Sequence, residues 1–113
     1  CSVRRQRQMC IRDSPSIVFT SSGVGRKARA FWTSYSISKF AVEGLMQSLA
    51  DEYEKEMRVN SYNPGPTRTQ MRAQAFPAED PNTLRTPDEI AIDYLWLMSE
   101  ECQETGIMYN YHE

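Results

Sequence analysis

The apolar and polar positions fall into alternating short runs and longer stripes. Ile17-Val18-Phe19-Thr20 is a brief, β-branched apolar run, which predicts a buried parallel strand ending at Ser21-Ser22. Residues 23–32 hold two glycines and several charges, so a loop is expected there. Thr33 or Ser34 is a candidate cap for a helix running to about Glu56. Its predicted buried stripe is Ile37, Phe40, Ala41, Leu45, Leu49 and Tyr53, and Asp51 to Glu56 reads as a mostly charged, solvated end. Arg58-Val59-Asn60-Ser61-Tyr62 predicts a second strand of modest apolarity, delivering the loop Asn63-Pro64-Gly65-Pro66-Thr67. Residues 68–86 suggest a short helix and a loop interrupted by Pro77 and Pro81. Thr86-Pro87-Asp88-Glu89 is a strong helix start, with a cap, a proline in the first position and acids in the first turn. Ile90, Ala91, Tyr94, Leu95, Leu97 and Met98 are its expected buried face to about Glu101, with Trp96 partly exposed. Ile107 to Asn110 reads as a last strand. Strands alternating with helices predict an α/β fold with a parallel sheet and right-handed crossovers.

Length and charge narrow this picture. A chain of 113 residues allows one domain, and a net charge of −2 gives no prior for nucleic acid or an anionic membrane. No apolar run approaches a membrane-spanning length. Residues 1–14 stand apart: Arg4, Arg5, Arg7 and Arg12 face only Asp13, and the segment has no helical or strand period. Met9 to Ser14 matches a translated sequencing adapter, so residues 1–14 are expected to be non-native and residues 15–113 to form the domain. Cys1, Cys10 and Cys102 have no disulfide-framework or zinc spacing, and a reducing cytoplasm is expected. His112 is the single histidine, which argues against a Ser-His-Asp triad or a metal site.

The candidate chemistry sits at Tyr35-Ser36-Ile37-Ser38-Lys39. A spacing of four puts Tyr35 and Lys39 on one helix face, where an ammonium favours the phenolate and fits the phenol for proton transfer. Such a pair is also an ordinary surface pair, so its context matters. Ser22 follows a strand, where ligand sites of open α/β sheets lie, with Ser21 as the alternative. Gly23-Val24-Gly25 lacks the third glycine and the Lys-Ser/Thr ending of a phosphate loop. Arg26, Lys27 and Arg29 are expected to be solvated, the alternative being an anionic-substrate contact. In the Asn63–Thr67 loop, Gly65 permits close backbone approach to a ligand, although a Pro-Gly turn is common anywhere.

These motifs, in this order, resemble the short-chain dehydrogenase/reductase family over about residues 15 to 110. Phe19-Thr20-Ser21-Ser22, Ser38-Lys39-Phe40-Ala41, Ala50-Asp51-Glu52-Tyr53 and Thr67-Arg68-Thr69-Gln70-Met71-Arg72 look most like the YciK-type oxidoreductases within it. The resemblance implies the C-terminal half of a doubly wound, parallel-sheet, Rossmann-like domain. It implies an NAD- or NADP-dependent oxidoreductase interconverting a small-molecule alcohol and carbonyl. Tyr35 would be the general acid/base, Lys39 would tune it and hold the nicotinamide ribose, and Ser22 would orient the substrate oxygen. Pro64, Gly65 and Thr67 would wall the nicotinamide, and residues 68–86 would be a lid in which Met71, Ala75 and Phe76 are candidates to face a substrate. It also implies a homo-oligomer built through the Tyr35 helix; from charge and hydropathy, neither nucleic acid nor membrane is expected as a partner.

The family's Gly-rich pyrophosphate turn, its Asn-Ala-Gly strand and its catalytic Asn do not occur in these residues. The N-terminal half is therefore expected to be missing, and the 113-residue polypeptide alone to be poorly stable and inactive. Two rivals are a non-catalytic interaction or dimerisation module and an extended-branch epimerase or dehydratase. A natural start codon just before Pro15 would favour the first. The Asn63–Thr67 loop argues against the second, which product analysis would decide.

Overall fold

The computed structural model describes residues 15–111. The adapter expectation for residues 1–14 lies outside them. β1 (Ser16–Thr20) and β2 (Arg58–Asn63) pair in parallel, with Ile17 opposite Val59 and Thr20 opposite Tyr62. β3 (Met108–Asn110) joins the other edge of β2, also in parallel, with Tyr62 opposite Tyr109. The sheet order is β1-β2-β3. α1 (Thr33–Glu52) links β1 to β2, and α3 (Pro87–Met98) lies between β2 and β3. A short α2 (Gln70–Ala75) and 3-10 turns at Gly23–Gly25 and Pro81–Thr83 complete the described elements. The expected parallel α/β arrangement is therefore present.

The pleat divides the core in two. Successive strand residues point to opposite faces. Phe19 and Val59 accordingly pack with Met46, Leu49 and Ala50 of α1, while Val18 and Tyr62 pack with Ile90, Tyr94 and Leu97 of α3. Central β2 is buried at every position except Asn63. Its polar Asn60 is satisfied at both ends of the amide, donating to the Glu104 carbonyl at 2.9 Å and accepting from the Ile107 amide at 3.0 Å. Arg58, also buried, donates to the carbonyls of Ser99 and Cys102.

The expected caps and faces are met unevenly. α3 starts as read: Thr86 accepts from the Glu89 amide at 3.3 Å and donates to the Glu89 carboxylate at 3.1 Å. It ends at Met98, and Ala91, Leu95 and Met98 face outward, so Ile90 and Leu97 alone on that helix are fully buried. α1 is capped by Trp32 without a side-chain bond, not by Thr33 or Ser34, and it ends at Glu52. Its buried face differs from the expected one, of which only Leu49 and Tyr53 are partly buried. Ile37, Phe40 and Leu45 are 65%, 47% and 48% exposed, whereas Ser36, Glu43, Met46 and Ala50 face inward. Both sides of this helix carry apolar residues at helical spacing, and polar partners on the sheet side decide which one turns in.

Candidate active site

The candidate site lies at the carboxyl ends of β1 and β2. Ser22 leaves β1 in an extended conformation and caps the 3-10 turn, its carbonyl accepting from the Gly25 amide at 2.9 Å. Ser21 is buried, its amide donates to the Tyr62 carbonyl at 2.8 Å, and its hydroxyl has no hydrogen-bond partner among the described residues. Ser22 is the more accessible of the two hydroxyls. The turn then presses on α1: a Cβ on Gly25 would stand 2.8 Å from the Lys39 Cβ and 3.0 Å from its carbonyl oxygen. Only a glycine fits that contact.

Lys39 and Tyr35 are on one face of α1, as the spacing predicted. The Lys39 ammonium donates to the Thr20 carbonyl at 3.2 Å and sits 5.5 Å from the centroid of the Tyr35 ring. An ammonium has three donors, so one bond to Thr20 leaves others for a ligand. Tyr35 is 39% exposed, with Trp32 packed edge-on at 5.9 Å. The hydroxyls of Ser22 and Tyr35 share no hydrogen bond.

The second loop leaves β2 beside the first. Gly65 has φ 71°, and its amide donates to the Asn63 side chain at 3.1 Å. The space a side chain would fill belongs to Tyr111, whose ring would stand 2.5 Å from a Cβ. The absence of a side chain at Gly65 makes room for Tyr111. Thr67 donates to the Gly65 carbonyl at 3.1 Å and, with Arg85, forms the neck of the 68–84 segment. Within that segment Phe76 stacks on Trp32 at 6.2 Å and 18° and lies 3.9 Å beneath the Arg72 guanidinium. Arg72 and Glu79 form a two-pronged ion pair, each bond 2.8 Å. That pair, chiefly through its hydrogen bonds, holds the Glu79 carboxyl below the usual carboxylate range. Met71 and Ala75 point to solvent.

Two polar clusters around the site escaped the sequence reading. Arg26, expected to be solvated, turns inward and pairs with Glu43 at 3.1 Å, the Glu43 side chain being 5% exposed. It also reaches Ser61, the Tyr109 carbonyl and Asn110. The available signal was an acid at position 43, on the same helix face as Met46 and Ala50. In the second cluster the Tyr62 hydroxyl donates to Asp93, which pairs with Arg85 at 3.1 Å. Burial first, then that bond to Asp93, pushes Tyr62 up to about 12, with Arg85 opposing. Among the described residues no group of histidine, cysteine and carboxylate side chains is arranged to hold a metal ion. No helix among them is long and apolar enough to cross a membrane.

Comparison with known proteins agrees with this architecture. The family model for short chain dehydrogenase matches residues 1–80. The uncharacterized oxidoreductase YciK of Escherichia coli K12 is 57% identical over 99 residues, which cover 87% of this chain and 39% of that protein. A short chain dehydrogenase of Shigella flexneri complexed with NADP superposes with a TM-score of 0.82 at 56% identity, covering 87% of this chain and 41% of that one. One of Escherichia coli CFT073, complexed with NADPH, gives 0.79 at 53% identity, covering 88% and 43%. The chain thus spans about two fifths of the length of the relatives it matches. Strand–turn–helix order, the Tyr35–Lys39 face and these similarities converge: the chain belongs to the short chain dehydrogenase family.

Proposed function

We propose that these residues are the proton-handling and nicotinamide-facing part of an NADP(H)-dependent oxidoreductase interconverting an alcohol and a carbonyl. The observation that carries the reading is the Lys39 ammonium, fixed to the end of β1 by Thr20 and held over the Tyr35 ring. In the reducing direction the Tyr35 hydroxyl donates its proton to the substrate oxygen, and in the oxidising direction its phenolate accepts one. Lys39 stabilises the phenolate by charge and offers its remaining donors to the ribose hydroxyls. Ser22 donates a hydrogen bond to the substrate oxygen. Pro64, Gly65 and Thr67 wall the nicotinamide, and NADP(H) supplies or takes the hydride. The donor set fits this cofactor: the phenol and ammonium are accessible beside a backbone loop at the strand ends. NADP(H) is favoured over NAD by the two complexes of similar chains.

A homo-oligomer contact is assigned to the outward face of α1, where Ile37, Phe40 and Leu45 are exposed. A reducing, cytoplasmic setting suits the buried free thiol of Cys102. These 113 residues contain no Gly-rich pyrophosphate turn, so NADP(H) binding by this polypeptide alone is expected to be undetectable. Tight binding by it in titration calorimetry would refute that.

The test of function uses the full product of the open reading frame containing these residues. NADPH oxidation is followed against a panel of aldehydes and ketones. Tyr35→Phe is expected to lower kcat by about 100-fold or more while NADPH binding persists. A variant as active as the wild type would sink the assignment.

A further inference from the structure

Building on the catalytic reading above, we propose that Arg26 is a positioning residue that fixes the three separate pieces of the site against one another. The first piece is its own turn: the Arg26 amide donates to the Gly23 carbonyl at 3.2 Å, directly after Ser22. The second is α1. Arg26 Nε donates to Glu43 Oε1 at 3.1 Å, and Glu43 lies one turn beyond Lys39 on the inward face. Glu43 Oε2 in turn accepts from the Ser61 hydroxyl at 2.7 Å, and Arg26 Nη2 donates to that same hydroxyl at 3.3 Å.

The third piece is the Pro64–Thr67 loop, reached by a relay. Arg26 Nη1 donates to Asn110 Oδ1, and Nη2 donates to the Tyr109 carbonyl at 3.0 Å. Asn110 Oδ1 also accepts from Asn63 Nδ2 at 3.3 Å, and Asn63 Oδ1 accepts from the Gly65 amide at 3.1 Å. One guanidinium thereby connects the Ser22 turn, the Tyr35–Lys39 helix and the nicotinamide wall. The geometry needs several donors spread over a rigid plane, which arginine has and lysine lacks. A desolvated ion pair is a weak source of net stability, whereas it does fix geometry. The bonds of Arg26 serve orientation.

The experiment compares Arg26→Lys, Arg26→Met and Asn110→Ala in the full open-reading-frame product. Amide hydrogen exchange at Gly65 is read beside exchange at Leu97, in the helix to which none of the network's hydrogen bonds runs. Both Arg26 variants are expected to speed Gly65 exchange at least about tenfold with Leu97 unchanged. Both should lower kcat by about tenfold with little change in KM for NADPH. Asn110→Ala, which cuts only the relay, should loosen Gly65 and leave the α1 amides protected. A lysine variant that restores wild-type exchange and kcat would overturn the proposal, because charge alone would then suffice. Equal acceleration at Gly65 and Leu97 would also overturn it, since the residue would then be only a general stabiliser. Exchange decides the positioning role even if the wild type reduces no carbonyl, a result that would instead refute the catalytic reading.

Discussion

The two sides of the sheet are held by different means. Under α3 the larger contact is apolar and aromatic: Tyr62, Ile90, Leu97 and Cys102 are buried together, with Val18, Tyr94, Tyr109 and Tyr111 around them, and hydrogen bonds from Ser16, Thr20 and Tyr62 to the helix add to it. Under α1 the apolar cluster is smaller, consisting of Met46, Ala50 and Val59, and it lies toward the helix end away from Tyr35. Nearer Tyr35 the same face carries Lys39 and Glu43, fixed by Thr20, Arg26 and Ser61. Apolar packing is non-directional and tolerates small slides. Hydrogen bonds and ion pairs fix distance and angle. The helix that carries Tyr35, the proposed proton donor, is therefore oriented by directional bonds near that residue and packed by apolar contact farther along. α3, with no catalytic group assigned to it, combines a larger apolar and aromatic contact with neutral and carboxylate hydrogen bonds from Ser16, Thr20 and Tyr62.

The sharpest way to break this contrast is Glu43→Ala. It leaves the guanidinium of Arg26, 17% exposed, without its carboxylate, and a stability loss of about 3–5 kcal/mol is expected in denaturant titration. Leu97→Ala, on the other side, should cost about 3 kcal/mol through the cavity it leaves. Tyr35-dependent activity should fall with Glu43→Ala beyond what stability explains, and it should survive Leu97→Ala in the fraction that stays folded. The reverse pattern would show that packing, not the ion pair, orients α1.

The same contrast explains what the sequence revealed. The strands and the start of α3 were legible because their signals are local: a β-branched run at Ile17–Phe19, and Thr86-Pro87-Asp88-Glu89 at a helix start. The Tyr35–Lys39 face was legible because it spans one helical turn. The faces of α1 were not. Ile37, Phe40 and Leu45 compete with Met46 and Ala50, and periodicity cannot say which stripe meets the sheet. What decides is Glu43, whose partners Arg26 and Ser61 come from a loop and another strand. Trp32 on Phe76 was invisible for the same reason, being a contact between two loops distant in the chain.

A smaller effect separates polar from apolar contributions within the α3 side itself. Folding raises the Tyr62 hydroxyl from 10.0 to about 12, so the native state keeps a proton that the unfolded chain releases. The stability this contributes is complete below pH 10.0 and is lost as pH rises toward about 12. Tyr62→Phe should cost about 1 kcal/mol at neutral pH and flatten part of that alkaline decline. Tyr109, raised by burial and by its bond to Glu104, adds to that slope. An unchanged alkaline profile in Tyr62→Phe would assign the decline elsewhere and leave α3 held by packing and by its bonds to Ser16 and Thr20.

The smallest expected effect on stability, and the most local, is at the segment that crosses from one side to the other. Arg72 and Glu79 brace the piece that carries Phe76 onto Trp32, next to Tyr35. The Glu79 carboxyl is held low by its bonds to Arg72, so its contribution is present above pH 4.5 and fades as pH falls through its lower folded value. The pair is open to solvent, so Glu79→Gln should barely move the unfolding midpoint. It should instead free Phe76 from Trp32. With Trp96 and every other tryptophan of the full open-reading-frame product replaced by Phe, the emission of Trp32 should shift to the red in Glu79→Gln. The wild type should show the same shift on acidification below pH 4.5. Emission that stays fixed in both would mean that the aromatic stack holds this segment by itself, and that the ion pair is a passenger on it.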